Sequence, residues 1–139
     1  MIDVHIIRDL PFSASAVWLV LSNYGDIRWT GAPKVEVEGS GIGMIRKVIM
    51  DGMAPIEEVL ESMDHQAMTY SYTIPRGLPM PVSNYRAEVR VEAVDDTNSR
   101  VHWHSTAQPN EGSGSDGQQM LKAAYSQMLD GLAQCLAST

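Results

Sequence analysis

Arg46 and Glu58 are the two charged residues whose spacing could bring them together in one site. They lie on either side of Asp51-Gly52, and an Asp-Gly pair between alternating apolar residues is a strong signal of a β-hairpin turn. A hairpin centred on Gly52 places Arg46 directly opposite Glu58. Both side chains then share an apolar face with neighbours such as Val48. A lone charge on that face would be costly, whereas a paired charge is tolerated.

Two interpretations of this pair are open. In the first, Arg46 and Glu58 form a polar anchor that orients a hydroxyl, carbonyl or carboxylate group of a bound ligand. In the second, they form an ion pair that touches no ligand. Both interpretations depend on the register of the hairpin, because a slip of one residue would turn both charges toward solvent.

Aromatic and methionine side chains could supply the apolar wall around such an anchor. The chain has nine methionines, and methionine suits an adaptable pocket wall. A buried tyrosine needs a partner for its hydroxyl, which a ligand could supply. Ordinary core packing is the alternative for each of these residues taken singly. The side chains that we expect around a ligand, besides Arg46 and Glu58, are Tyr70, Tyr72, Tyr85, Trp103, Met120, Tyr125 and Met128.

Other residues offer less chemistry. His102 and His104 point the same way on one predicted strand and could hold a metal together. They share their face with Arg100, however, and a turn centred near Thr97 would place Glu92 opposite His102, so we expect a solvated surface and no metal site there. Cys135 lies on the apolar stripe of a predicted helix, where a thiol is ordinary packing. No cofactor is expected, because the Gly-x-Gly-x-Gly run at residues 39–43 precedes no helix that could cradle a phosphate.

Alternation of apolar and polar residues predicts the strands that position these side chains. The clearest alternation lies in residues 82–94, where one face is apolar and the other is charged. Short turn sequences separate the segments, so an antiparallel meander is expected. The predicted strands are residues 2–9, 34–38, 42–50, 56–63, 67–74, 82–94 and 100–107.

Helices complete the predicted order of elements. Ser13 or Ser15 can cap a short helix that ends near Gly25, and one further short turn could follow it. A long helix with an apolar stripe is predicted from about residue 116 to about residue 137. A sheet with one apolar face must cover that face, and the long helix is the obvious cover. We therefore predict one α+β domain over residues 1–139, with about seven antiparallel strands curved around the terminal helix.

Composition narrows the classes of partner. The net charge of −7 argues against nucleic acid, which needs clustered Lys and Arg, and against an anionic membrane surface. No apolar run approaches the ~20 residues that span a bilayer. The single cysteine excludes an internal disulfide, and the N-terminus lacks the pattern of a signal peptide, so a cytoplasmic location is expected. A monomer and a homodimer are both open, since the predicted strand at residues 34–38 could pair between subunits.

The order of elements and several short segments resemble the SRPBCC, or helix-grip, superfamily of START, Bet v 1 and polyketide cyclase/dehydrase-like proteins. Residues 13–18 (Ser-Ala-Ser-Ala-Val-Trp) resemble the entry into the first helix of that superfamily. Residues 38–46 resemble its Gly-rich hairpin and the following strand, and residues 58–64 and 84–86 are similar to further segments. The resemblance covers nearly the whole chain.

This resemblance implies a helix-grip fold with a cavity between the sheet and the terminal helix. In the similar abscisic-acid receptors, the residue that matches Glu58 lies in the ligand pocket, and the segment that matches loop 76–81 is a mobile latch. For loop 76–81 a mobile lid and a plain, rigid connection are both open. The resemblance does not imply a single activity, because members of the superfamily carry lipids, sense hormones, cyclise polyketides or act as chaperone partners. We expect binding or transport of a small hydrophobic or amphipathic ligand, such as a lipid, a polyketide or an aromatic metabolite. One alternative is an enzyme of the polyketide cyclase/dehydratase type with Glu58 as the acid or base. Another is a protein-interaction module with a filled core.

Overall fold

The computed structural model describes residues 1–32 and 34–138. Its strands are β1 (Ile2–Leu10), β2 (Lys34–Glu38), β3 (Ile45–Ile49), β4 (Ile56–Asp64), β5 (Thr69–Arg76), β6 (Val82–Ala93) and β7 (Ser99–Pro109). Its helices are α1 (Ala14–Leu21), a single 3₁₀ turn (Arg28–Thr30) and α2 (Asp116–Ala137). The predicted number and order of strands and helices are therefore confirmed.

All seven strands form one antiparallel sheet in the order β1-β7-β6-β5-β4-β3-β2. The first strand closes against the last, while β2 to β7 follow one another as a meander, so the edge strands are β1 and β2. The sheet curves around α2, and this arrangement is the predicted helix-grip fold. No helix among the described residues combines the length and apolar character needed to cross a membrane.

Helix α1 begins at a serine cap, as predicted. Ser13 lies in the extended region, and its Oγ accepts a hydrogen bond of 3.2 Å from the amide of Ala16. The helix ends at Leu21 rather than near Gly25. The residues after it, including the buried Tyr24, turn toward the sheet instead of continuing the helix.

Helix α2 covers the apolar face of the sheet. Its buried side chains recur every three or four residues, which is the spacing of one helical face; they are Leu121, Tyr125, Leu129, Leu132 and Leu136. Gly131 allows the backbone of α2 to approach the backbone of Trp29 closely, because a Cβ atom at this position would lie 2.3 Å from the Trp29 carbonyl oxygen. The helix therefore packs directly on the 3₁₀ turn as well as on β1.

The β3–β4 hairpin has the predicted register, with Arg46 opposite Glu58. The β6–β7 hairpin does not: the sequence predicts Glu92 opposite His102, whereas Glu92 lies opposite Arg100 and His102 lies opposite Arg90. The turn at residues 94–98 is tighter than expected, since the amides of Val94 and Asp95 both donate to the carbonyl of Asn98. When the centre of a hairpin moves by one residue, each residue pairs with a partner two positions away from the expected one. Each side chain therefore stays on the face of the sheet that was predicted for it.

Strands β5 and β6 separate at one end. They pair only from Thr69–Arg90 to Thr73–Arg86. Beyond that point β6 is irregular, with a register shift against β7 between Ser83 and Arg86 and a positive φ of 53° at Asn84. The sheet therefore opens into a wedge between residues 73–78 and residues 82–86, which we call the β5–β6 wedge.

Candidate functional site

Arg46 and Glu58 form an ion pair on the inner face of the sheet. The Arg46 Nε donates to Oε1 of Glu58 at 2.5 Å, and the side chains are 2 % and 14 % exposed. The Nη1 atom of Arg46 donates to the backbone carbonyl of Tyr24 at 3.0 Å. Burial alone would lower the pKa of Arg46, but the attraction of Glu58 outweighs burial and raises that pKa. The guanidinium therefore stays charged.

All five tyrosines of the chain gather beside this pair. We call Tyr24, Tyr70, Tyr72, Tyr85 and Tyr125 the tyrosine cluster. Its rings touch in sequence: Tyr24 and Tyr70 have centroids 5.6 Å apart, Tyr70 and Tyr72 6.1 Å, and Tyr72 and Tyr85 6.0 Å. Trp103 fills the centre, 6.4 Å from Tyr72 and 5.7 Å from Tyr125.

The guanidinium of Arg46 is sandwiched at one end of the tyrosine cluster. Its Cζ lies 3.9 Å from the ring centroid of Tyr24 and 5.1 Å from that of Tyr72. A cation over an aromatic face is attracted by the ring quadrupole, and the attraction strengthens where water is excluded. Tyr24 and Tyr72 therefore help to hold a charge that burial would otherwise destabilise.

At the other end, three hydroxyl groups meet. The Tyr85 hydroxyl contacts the Tyr125 hydroxyl and lies 3.4 Å from the Tyr72 hydroxyl. Burial raises the pKa of Tyr125 to about 12 and raises those of Tyr72 and Tyr85 well above the usual value. These hydroxyls are therefore neutral at physiological pH and can donate hydrogen bonds.

Several buried polar atoms beside the cluster have no hydrogen-bond partner among the described residues. They are the hydroxyls of Tyr24, Tyr70 and Ser105 and the indole Nε1 of Trp103. Two of these hydroxyls have a polar neighbour, because Tyr70 interacts with Arg46 and Ser105 interacts with Tyr125, although neither contact has good hydrogen-bond geometry. An unpaired buried polar atom typically costs about 1–3 kcal/mol. The interior is therefore more polar than a dry core requires.

The side chains of the cluster, with Trp103, fill the space between the sheet and α2 where the family resemblance implies a cavity. Tyr70, Tyr72, Tyr85, Trp103 and Tyr125 are all buried and in ring or hydroxyl contact. Two hollows instead border the cluster from outside. The β5–β6 wedge encloses about 640 Å³ and is lined by Tyr85, and a second hollow of about 530 Å³ is lined by Tyr24 and Leu60.

The structure brings most of the predicted site residues together. Arg46, Glu58, Tyr70, Tyr72, Tyr85, Trp103 and Tyr125 belong to one contiguous group. Met128 is partly buried against the core. Met120 is not part of this buried group, since its side chain is 42 % exposed. The role of these residues toward a ligand stays a prediction.

Tyr24 is the member of the site that the sequence analysis missed. It lies between α1 and the 3₁₀ turn, outside any periodic segment, so no pattern assigns it a face. Its ring, backbone carbonyl and hydroxyl all lie at the buried end of the ion pair. An aromatic residue in an otherwise polar loop segment, Ser22-Asn23-Tyr24-Gly25-Asp26, is the signal that could have found it.

The loop at residues 76–81 is held against the loop at residues 51–55. A Cβ atom at Gly77 would lie 2.0 Å from the carbonyl oxygen of Pro55, and the φ of Gly77 is +85°. Both features require glycine at this position. The two loops therefore meet at one rim of the β5–β6 wedge, where a latch was predicted; whether they move stays a prediction.

The outer face of the sheet carries the histidines. His102 Nε2 lies 2.8 Å from Glu92 Oε1, and His104 Nε2 lies 2.7 Å from Asp3 Oδ1. His5, to which the sequence analysis gave no role, lies beside both rings. Partial burial lowers the pKa of His5, and the neighbouring His104 and His102 lower it further.

Solved structures share this fold over nearly the whole chain. Protein XoxI from Bacillus cereus has 24 % sequence identity and a TM-score of 0.87, with 99 % of this chain and 96 % of that chain covered. A protein from Thermobifida fusca has 21 % identity and a TM-score of 0.88, with 99 % and 95 % covered. Norcoclaurine synthase from Thalictrum flavum, in complex with dopamine and hydroxybenzaldehyde, has 15 % identity and a TM-score of 0.75, with 98 % and 86 % covered.

At these identities the structural likeness shows a common fold and no more. No curated protein matches the chain by sequence. A family model described as "Polyketide cyclase / dehydrase and lipid transport" matches residues 1–137. That match spans every strand and helix described above, and the chain belongs to the polyketide cyclase/dehydrase and lipid transport family.

Proposed function

We propose that this chain binds a small, largely apolar molecule that carries hydroxyl or carbonyl groups, with its polar end against the tyrosine cluster. The observation that carries this proposal is that two buried polar atoms beside the cluster, the Tyr24 hydroxyl and the Trp103 indole Nε1, have no hydrogen-bond partner among the described residues. A ligand that offers hydrogen-bond partners would remove the free-energy cost of leaving these buried polar atoms unpaired. Membership of a family that includes lipid transport supports the same function.

The β5–β6 wedge is the proposed entrance. It is a ready opening of about 640 Å³ in the wall of the sheet, and it is lined by both apolar and polar residues. Tyr85 stands between the wedge and the rest of the cluster, because it lines the wedge while its hydroxyl contacts Tyr125. Rotation of the Tyr85 side chain would join the wedge to the interior. This motion is the conformational step that binding requires.

The ion pair is the proposed polar anchor. The Nε and Nη1 atoms of Arg46 are already occupied by Glu58 and by the carbonyl of Tyr24. The Glu58 Oε2 atom has no hydrogen-bond partner among the described residues, so it can accept one from a ligand hydroxyl. Arg46 in turn fixes the position of that carboxylate. A ligand with a hydroxyl group therefore suits this anchor better than a purely apolar one.

An enzyme of the cyclase type is a second candidate, and the contact between the Tyr85 and Tyr125 hydroxyls favours it. A protonated phenol at the mouth of a polyketide-binding site can donate to a carbonyl oxygen of the substrate as negative charge develops there. Glu58 would then be the acceptor of the substrate proton. Loss of turnover with unchanged binding in Glu58→Gln would favour this enzyme.

The filled interior also fits a protein-interaction module that takes no ligand. Such a module should not bind a hydroxylated molecule more tightly than the corresponding hydrocarbon. Naphthol and naphthalene make a matched pair for this test, since they differ by one hydroxyl. Calorimetry can follow the binding of both, because it does not depend on their ultraviolet absorption and emission, which overlap those of tryptophan.

We expect naphthol to bind about tenfold more tightly than naphthalene, as one good hydrogen bond at a buried site would give. Glu58→Gln should reduce that preference, while the control Glu61→Gln, on the exposed side of the same strand, should leave it unchanged. Absence of saturable binding of either compound would contradict the proposal. If the compounds bind saturably, native mass spectrometry of protein purified from its own host would be the next step, because it can identify the natural ligand.

A further inference from the structure

His5 and His102 bring two ring nitrogens together on the outer face of the sheet. They lie on the neighbouring strands β1 and β7, and the Nε2 of His5 is 3.3 Å from the Nδ1 of His102. Zinc binds histidine nitrogens at about 2.0–2.1 Å, so two nitrogens on one tetrahedral zinc ion are about 3.3–3.4 Å apart. The observed separation is that of a hydrogen bond between the two rings, and it also equals the distance between two nitrogens bound to one zinc ion.

The protonation of His102 also suits a metal ligand. Its Nε2 faces the Glu92 carboxylate at 2.8 Å, and a carboxylate can only accept a hydrogen bond, so Nε2 carries the proton. In the neutral ring, the Nδ1 atom that faces His5 then carries a lone pair and no proton. A carboxylate that holds the far nitrogen of an imidazole is the usual support of a metal-binding histidine.

The charges around the pair favour a cation. Asp3 and Glu88 lie on the same face as Glu92, with Asp3 bonded to His104 and Glu88 opposite His104 in the register. Arg90 and Arg100 are the opposing charges: Arg90 lies opposite His102 and acts on His5, and Arg100 lies opposite Glu92 with its Nη1 4.0 Å from Glu92 Oε1. Three carboxylates and two guanidinium groups therefore lie on this part of the sheet, which leaves a net negative charge.

We propose that His5 and His102 form a two-imidazole site for a late first-row divalent metal ion, with zinc as the ion that fits the observed spacing. Among residues 1–32 and 34–138, no group of three or more histidine, cysteine, aspartate or glutamate side chains is placed to hold a metal ion together. Water therefore completes the coordination. This site lies on the face of the sheet opposite the tyrosine cluster and does not depend on the function proposed for that cluster.

Such a site would clamp an edge strand. β1 is the edge of the sheet, and a metal ion shared by His5 and His102 adds a link between β1 and β7 in the folded state alone. A ligand that binds only the folded state stabilises it by RT ln(1 + L/Kd), where L is the free ligand concentration, so the midpoint of thermal unfolding rises with the logarithm of L once L exceeds Kd. The metal should therefore stabilise the protein as well as bind to it.

The test is a titration of the full chain with zinc chloride, by calorimetry and by thermal unfolding. The unaltered protein should bind one zinc ion and show a rise in midpoint. His5→Ala and His102→Ala should each lose the binding and the zinc-dependent rise. Glu92→Gln should weaken binding by about tenfold or more, because it removes the carboxylate that orients His102. Each variant is compared with itself without zinc, so a change in intrinsic stability does not affect the result.

His65→Ala is the matched control. His65 lies at the turn after β4 and accepts a hydrogen bond from Trp18, away from the pair. It should keep the full zinc response. Equal binding in His5→Ala, His102→Ala and the unaltered protein would overturn the proposal, as would an absence of zinc binding in the unaltered protein. Loss of binding in His65→Ala alone would also overturn it, because the site would then lie elsewhere.

Discussion

Arg46 and Glu58 face each other across the β3–β4 hairpin, with the Arg46 Nε 2.5 Å from the Glu58 Oε1. Among the described residues, Arg46 is the one charged side chain that is fully buried. Its charge is matched by a carboxylate that keeps some contact with solvent. The pair therefore connects the interior of the protein to its surface, and the stability of the fold should depend on both members.

Glu58→Gln should destabilise the protein by about 3 kcal/mol. The substitution keeps the size of the side chain but leaves the buried guanidinium without a counter-charge, and removing one partner of a buried ion pair typically costs about 3–5 kcal/mol. Urea unfolding measures the change. The exposed Glu61→Gln on the same strand should stay within about 0.5 kcal/mol of the unaltered protein. Equal stability of the two variants would show that the pair contributes little.

Gly77→Ala should separate the two rim loops. An alanine Cβ would meet the carbonyl oxygen of Pro55 at 2.0 Å, and the φ of +85° is already unfavourable for alanine. Gly52 is the matched control, since its φ is +77° but no atom lies within 4 Å of an added Cβ. Gly52→Ala should cost about 1 kcal/mol from the backbone, and Gly77→Ala should cost about 1–3 kcal/mol more from the clash. Urea unfolding of both variants isolates the contact between the loops.

The fold was predictable from the sequence because alternation and turn residues are local signals. Asp51-Gly52 fixed the register that puts Arg46 opposite Glu58, and that prediction is confirmed. The register of β6 against β7 was wrong by two residues, since the turn at residues 94–98 contains several residues that could form its centre. The faces of both strands were nevertheless right, because a shift by two preserves the alternation.

The interior of the site was less predictable. Alternation places Tyr72 and Trp103 on the inner face, but it does not say whether inward side chains leave a hollow or fill it. That outcome depends on contacts between distant strands, and on Tyr24 from a loop that has no periodicity. The pair of His5 and His102 was missed for the same reason, because β1 and β7 lie at opposite ends of the sequence.

Leu19 and Leu21 on helix α1 should respond very differently to truncation. Leu21 is 2 % exposed within the core, whereas Leu19 is 75 % exposed. Leu21→Ala should therefore cost about 2–5 kcal/mol, since it removes buried methyl groups and leaves a cavity. Leu19→Ala should change stability by less than about 0.5 kcal/mol. Chemical unfolding compares them, and similar losses in both variants would mean that the outer side of α1 is covered in solution.

Alkaline pH should unfold the protein through its buried tyrosines. Burial raises the pKa of every member of the tyrosine cluster, and that of Tyr125 rises to about 12. In the unfolded chain a tyrosine ionises at about pH 10, so the unfolded state releases its protons first as pH rises. The stability contributed by each neutral hydroxyl is complete below about pH 10 and is lost as the pH rises toward the folded-state pKa.

For Tyr125 alone, this loss is about 3 kcal/mol, at about 1.4 kcal/mol for each pH unit between the two pKa values. The other four tyrosines act in the same direction. Urea unfolding at a series of pH values, with tyrosinate absorbance recorded in parallel, measures the effect. Tyr125→Phe should show a shallower decline above about pH 10, because it lacks one of the titrating groups. A stability that stays constant to about pH 12 would mean that these hydroxyls are open to water.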